Sequence, residues 1–355
     1  MAKSFLSVIL FFIAISGFSQ TGGNNTFEFL NLPGSTRIAT LGGNNISHYD
    51  NDLNFVLTNP ALLKPDMDKQ LAINYINYLS DINFGYVSYA MDVENIGIIA
   101  GGIQYINYGK FLHTDETGVI LGDFAPSEFS FNLYYSRPLN EYFNFGAALK
   151  TIYSSFFTHF SSGMALDLGL AYVNPEKLFS AGMTIKNMGT QLKPYTKGNY
   201  EPLPFDVQLG LTKGLPHAPL RFSITFQNLL NWNLSYKSVF DTSVTVGIDQ
   251  EEKEDNFFNK LEQIGDEFIR HVVIGVELVP FESLYISIGY NYRRRAELSM
   301  NLMPKLVGMS VGAGLRLEKF NISYGVASYH LAGTSNHISL GVNLGAFYKT
   351  VNNSK

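Results

Sequence analysis

Seven histidines and a few isolated acids are the side chains of this sequence that could do acid–base or metal chemistry, and their spacing argues against it. His48, His113, His159, His217, His271, His330 and His337 are scattered, and no two stand on one helical face with a glutamate between them. No nucleophile elbow and no phosphate-cradling glycine loop is expected. Cysteine is absent, which removes thiolate nucleophiles, thiolate metal ligands and disulfide staples. The expectation is therefore no catalytic residue, no metal and no cofactor. Four charges stand differently. Asp167, Asp206, Glu277 and Arg316 each sit alone at an alternate position of an otherwise apolar stretch. One reading makes them ordinary charges of a polar barrel interior. The other makes them ion-pair anchors for something held inside, because a buried charge needs a partner.

The elements that carry these charges are strands. In "FDVQLGLT", Phe205, Val207, Leu209 and Leu211 alternate with Asp206, Gln208, Gly210 and Thr212. "MALDLGLAY", "GMSVGAGLRLEK" and "HISLGVNLGAFY" repeat the pattern. Such a period of two puts one face against an apolar medium and the other against polar or small groups. Fourteen stretches of this kind run from 69–78 to 336–348, among them 268–280 and 282–293. The 21 Tyr and 28 Phe in a chain of average hydropathy suit strands that are half apolar and half wet. Connections sort by parity: "DVEN", "PLNE", "NPEK", "KGLPHAP", "PFE" and "EKF" at the even junctions are short, whereas 108–126, 188–202, 228–267 and 294–306 among the odd ones are long and 79–82, 154–160 and 331–335 brief. A soluble sandwich has no reason to sort its loops this way, but a closed barrel across an outer membrane does. The fold expected is all-β, a 14-stranded antiparallel transmembrane barrel over 69–348. Tyr108, Tyr135, Tyr172, Tyr290, Tyr292 and Tyr348 are placed to form its interfacial girdles.

The start of the chain supports an exported protein. "MAKSFLSVILFFIAISGFSQ" has a positive start, an apolar core and small residues before Gln20, so 1–19 reads as a signal peptide. Residues 349–355 are expected as a periplasmic tail, with both termini on the periplasmic side. The formal net charge of −5 is too mild to point to nucleic acid.

Two segments break the strand rhythm. Residues 20–68 are rich in Gly and Asn and end in "DNDLNFVLTNPALL", in which Asn59 can cap a helix that Pro60 begins. Lys64-Pro65 limits that helix to one or two turns. So short a helix is unstable alone, so 20–68 is expected to fold into the lumen as a plug. The other segment, 228–267, carries Phe257, Phe258, Leu261 and Ile264 at helical spacing on the outer side. It reads either as a partner-docking surface or as a lid on the barrel mouth. "YRRR", with Arg293, Arg294 and Arg295, reads as the outer end of a strand: a solvated rim, or a contact for phosphate on lipopolysaccharide.

Together, Gly22 to Ser47 ("GGNNTFEFLNLPGSTRIATLGGNNIS"), Asp52 and Asn59-Pro60-Ala61, ahead of fourteen strands, resemble the FadL-like outer-membrane barrels. Within these the block is similar to the PorQ branch, of the type IX secretion system of Bacteroidetes. The resemblance implies a non-catalytic outer-membrane subunit. It would scaffold the cell-surface attachment complex, with PorZ, PorU and PorV as protein partners and outer-membrane lipid and lipopolysaccharide around it. The runner-up is a FadL-type channel for hydrophobic solutes, which needs an apolar lumenal pocket and a lateral gap in the wall.

Overall fold

The computed structural model describes residues 25–234, 257–298, 306–330 and 333–347. The leader and tail expected over 1–19 and 349–355 lie outside the described residues, and so do 235–256 of the long connection. The strands are β1 (Gln70–Asn77), β2 (Asn83–Val93), β3 (Gly97–Asn107), β4 (Phe111–Thr114), β5 (Ile120–Phe124), β6 (Ser127–Pro138), β7 (Phe143–Phe156) and β8 (His159–Asn174). They continue as β9 (Phe179–Lys193), β10 (Asp206–Gly214), β11 (Leu220–Phe226), β12 (Val272–Phe281), β13 (Leu284–Asn291), β14 (Met309–Arg316), β15 (Phe320–His330) and β16 (Gly333–Asn343). All but β4 and β5 join one closed antiparallel barrel of 14 strands. It closes where β1 pairs β16, from Gln70↔Asn343 to Asn77↔Asn336.

Alternation decides which face is which. Ile73, Tyr75, Val87, Tyr89, Ile103, Leu209, Leu211, Val311 and Leu315 point out and are exposed. Asn74, Ser88, Gln104, Asn132, Gln208, Thr212 and Ser310 point in and are buried. A soluble protein has the reverse arrangement, so this outer face requires a hydrocarbon surround. At the short-turn rim, Tyr172 packs against Tyr142, Phe143 and Phe179, which makes an aromatic belt. Tyr108 is not part of a girdle: its hydroxyl donates inward to Glu128 at 2.5 Å.

Several boundaries differ from the sequence pattern, among them β9, which runs on to Lys193 where a connection from 188 was expected. Residues 111–124 form a separate hairpin from β4 and β5, where a plain loop was expected. The helix over Phe257–Arg270 runs through 268–270, so β12 begins at Val272. The helical spacing of Ile264 and Phe268 simply continues past the point where the alternation was expected to start. Strand β13 stops at Asn291, and "YRRR" opens a helix instead of ending a strand. The last strand starts at Gly333 and ends at Asn343, short of the expected 348.

Residues 25–68 lie inside the barrel. They contain helix α1 (Thr36–Thr40), capped by Ser35, and single 3-10 turns at Glu28–Asn31, Leu53–Leu57, Pro60–Leu62 and Pro65–Met67. Each turn is too short to stand alone, and each is held by the wall. Phe27, Phe29 and Leu30 pack with Ile76, Phe84 and Ile106 near the long-connection end. Leu53, Val56, Leu63 and Met67 pack with Ala72, Ala90 and Ala100 towards the other. Two further helices, α2 (Phe257–Arg270) and α3 (Tyr292–Leu298), lie on the long-connection side.

Candidate functional site: the N-terminal segment and the charges that hold it

The segment comes so close to the wall that several inward positions must be glycine. A Cβ on Gly146 would stand 2.3 Å from the Ala61 nitrogen, and one on Gly169 2.1 Å from Asn59 Oδ1. On Gly182 it would meet the Ile46 carbonyl oxygen at 2.2 Å. Strands β7, β8 and β9 thus present a bare backbone on which the Asn59-Pro60-Ala61 turn rests. Asn59 accepts from the Ala61 N–H at 3.0 Å, and its amide donates to the Ile46 carbonyl at 2.9 Å. Asp52 caps the preceding turn by accepting from Asn54 N–H at 3.1 Å. The glycine pair on β14 divides: Gly312 leaves room for Thr40, but Gly314 leaves room for the Tyr285 ring of the wall itself.

Charge ties the segment down near the short-turn end. Arg37, on α1, is 1 % exposed. Its Nε and Nη2 donate to the two oxygens of Glu277 at 2.7 and 3.2 Å, a forked pair with β12. Its Nη1 reaches Asp50 at 2.6 Å and Asp52 at 3.4 Å. Tyr285 and Phe55 flank the guanidinium, with ring centres 4.5 and 5.4 Å from its carbon. Asp50 is the second hub, because the same oxygen also takes Arg316 of β14 at 2.8 Å and lies 3.5 Å from Arg221 of β11. Three wall charges from three strands therefore converge on two residues of the segment.

His48 lies within the same cluster and is stacked on Phe55. Its Nε2 is 2.8 Å from Arg37 Nη2 and 2.6 Å from Arg221 Nη1. Nε2 is also 3.0 Å from Asp50 Oδ2, but two guanidiniums, which only donate, stand closer than that carboxylate and suit a neutral ring that accepts. Burial, aided by the two guanidiniums, pushes its pKa below the ordinary value of 6.5. With His48 neutral, Arg37, Arg221 and Arg316 balance Asp50, Asp52 and Glu277. Burial raises the Asp50 carboxyl, but the Arg37 and Arg316 guanidiniums more than offset it and hold it well below 3.8. Burial likewise works against the Arg37 charge, and Asp50 and Glu277 override it to raise its pKa.

Of the four lone charges singled out by sequence, Glu277 and Arg316 anchor the segment and two do not. Asp167 pairs with Lys150 of the neighbouring strand at 2.6 Å. Asp206 accepts from Gln208 at 2.6 Å and from the Asn228 N–H at 2.7 Å. Arg37 itself escaped the sequence reading. The signal was "STRIAT", a cationic residue shortly before a glycine-rich stretch that is otherwise polar and neutral. Contrary to the expectation of no such motif, Gly308 to Gly312 does spell G-x-S-x-G. Ser310 nevertheless lies in a strand, where its hydroxyl accepts from the Gly42 N–H at 3.3 Å. That is no elbow.

At the long-connection end, Phe257 and Phe258 open α2, with Leu261 further along it, and the side chains of 257–263 lie outside the described residues. Ile264 is 55 % exposed, and Phe268 packs on Phe226 of the wall. Asp266 accepts from the Tyr292 hydroxyl, which joins α2 to α3. The three arginines of α3 separate. Arg293 bonds Glu297 and Asn228, Arg294 lies over Gly43, and Arg295 is exposed.

No family model matches the sequence, and no curated protein matches it. Solved structures do match in shape. The Ralstonia pickettii toluene transporter TbuX is 11 % identical, with a TM-score of 0.48 over 88 % of this chain and 98 % of that one. The Pseudomonas putida toluene transporter TodX is 11 % identical, with a TM-score of 0.47 over 88 % and 97 %. A Pseudomonas aeruginosa FadL homologue is 11 % identical, with a TM-score of 0.45 over 87 % and 98 %. Likeness at that level does not reach to function.

Proposed function

We propose that this chain is a sealed outer-membrane barrel, a FadL-like scaffold that carries proteins at the cell surface instead of passing solutes through its lumen. The observation that carries the reading is the N-terminal segment, buried against strands all round the wall and fixed by the Arg37–Glu277 fork and the Asp50–Arg316 pair. A channel for hydrophobic solutes needs an apolar path. Here the inward wall is built of Ser, Thr, Asn and Gln, and the apolar parts of the segment are consumed in packing against it. The apolar outer belt and the parity of the loops support the outer membrane, with the short turns periplasmic. The role implied by resemblance to the PorQ branch fits this reading: a non-catalytic subunit holding PorZ near the membrane, with PorU and PorV alongside. Helix α2, with Phe257, Phe258, Leu261 and Ile264, is our candidate for the docking surface, and Arg293 to Arg295 for contact with lipopolysaccharide. The test is purification of the tagged barrel from native outer membranes, followed by identification of what accompanies it. Surface proteins of the attachment complex are expected, and their loss is expected from Phe257→Ala with Phe258→Ala. A barrel that purifies alone and restores uptake of a hydrophobic solute to a deletion strain would overturn the reading.

A further inference from the structure

Helix α2 is held to the barrel by its polar side. Asp266 accepts from the Tyr292 hydroxyl of α3 and pairs with Arg270 at 2.8 Å. Glu267 accepts from the N–H of Leu234, in the connection that leads to the helix. The apolar residues stand elsewhere on its circumference. Ile264 and Phe268 are one turn apart, and Asp266 is about 200° round the helix from each at 3.6 residues per turn. They are 55 and 47 % exposed. Bonds on the polar side therefore fix the direction in which the apolar side points.

Phe226 gives that direction. In β11, Phe222 and Ile224 are exposed on the outer face while Ser223 and Thr225 are buried, so Phe226 also points out of the barrel. Its neighbours across the two ladders, Leu209 of β10 and Val272 of β12, hold outward positions too. The Phe268 ring meets the Phe226 ring with centres 6.0 Å apart. The apolar side of α2 thus continues the outer belt beyond the end of β11. A helix with one apolar and one charged side is the kind that lies in a membrane interface. We propose that the C-terminal half of α2 is such an element, seated in the acyl chains of the outer leaflet through Ile264 and Phe268. Acyl chains are the occupant because the belt that these residues prolong already requires a hydrocarbon surround. The inference rests on the orientation proposed above, with the long connections outside, and deepens it. Lipid covers Ile264, so protein docking falls to the N-terminal end of the helix, with Phe257 and Phe258.

The sequence has no cysteine, so a single one can carry a nitroxide label. The full barrel is reconstituted in phosphatidylcholine vesicles with the label on Ile264→Cys. Leu209→Cys serves as the reference for the belt, and Glu116→Cys, at the exposed tip of the β4–β5 hairpin, as the reference for water. Power-saturation measurements compare collisions with oxygen, which concentrates in the bilayer, and with a water-soluble nickel chelate. The Ile264 label is expected to follow Leu209, with oxygen favoured severalfold over the chelate. Phe268→Asp added to the same protein should lift the helix and raise chelate access at Ile264. All variants must keep heat-modifiable barrel mobility. An Ile264 label that reads like Glu116 would overturn the proposal. So would one that is shielded only after surface proteins are added, which would assign the stripe to a protein. On intact cells, Glu116→Cys is expected to react with a membrane-impermeant maleimide; its protection would overturn the orientation, and with it the choice of leaflet, independently of the vesicle result.

Discussion

Two of the ionic clusters among the described residues inside this barrel are wired differently. In the Lys150 cluster both partners belong to the wall: Lys150 Nζ meets Asp167 at 2.6 Å and the Asn187 side chain at 2.8 Å. A bulge in β9 puts Asn187 there, with positive φ, and it reaches the N-terminal segment only through a 3.3 Å bond to Asn31. In the Arg37 cluster every strong pair crosses from the segment to the wall or lies within the segment. The first cluster ties strand to strand, where backbone ladders already do so. The second ties a chain of single helical turns to the barrel, where little else is directional. Removing charge should therefore have opposite consequences at the two places.

The largest effect is expected at Arg37. Arg37→Met leaves Glu277 and Asp50 buried without their main partner, a loss of about 3–5 kcal/mol when one member of a buried pair is removed. The barrel should still migrate as a folded, heat-modifiable band, while limited proteolysis cuts within 25–68 at a much higher rate. An uncut segment would mean that packing alone holds it. Next comes Gly169→Val, whose side chain would stand where Asn59 Oδ1 now lies. Overpacking of this kind costs about 1–3 kcal/mol, again read as proteolysis of the segment and not as loss of the barrel.

Acid should loosen the same segment more gently. The folded pKa of His48 lies below 6.5 and that of Asp50 below 3.8. In both cases the released segment binds protons more readily than the docked one, so docking is favoured above those values and weakens as pH falls. Proteolytic sensitivity of 25–68 should begin to rise as pH drops through about 6.5, first through His48, then again near the carboxylate range. His48→Gln should remove the first rise and keep the second; a single rise unchanged by that substitution would take His48 out of the account. The smallest effect sharpens the comparison from the other side. Lys150→Met combined with Asp167→Leu replaces a wall pair by apolar groups of similar size, a change of about zero or slightly stabilising. Segment proteolysis should match wild type in that double variant, unlike Arg37→Met.

Much of this fold is legible in the amino-acid pattern. Alternation in "FDVQLGLT" and "GMSVGAGLRLEK" gives the faces of β10 and β14 correctly, because a period of two follows from strand geometry alone. The short turns are equally plain. The hairpin at 111–124 is not, since its strands are exposed on both sides and carry no alternation. Helix α3 is hidden for a related reason: Tyr292 and Arg293 prolong the alternation of β13, and only the fold shows the chain turning. Asn59 and Pro60 announce their own turn through cap chemistry, which is local. Glu277 and Arg316 announce burial without saying with whom. Arg37 lies 240 positions from Glu277, and no spacing rule joins residues so far apart.

The central claim, that the N-terminal segment seals the lumen because wall charges pin it there, is tested most directly by conductance in planar lipid bilayers. The account predicts an electrically silent wild-type barrel, and discrete openings once Arg37→Met has released the segment. Steady porin-like current through the wild type, or silence in both proteins with the segment proven loose, would contradict it.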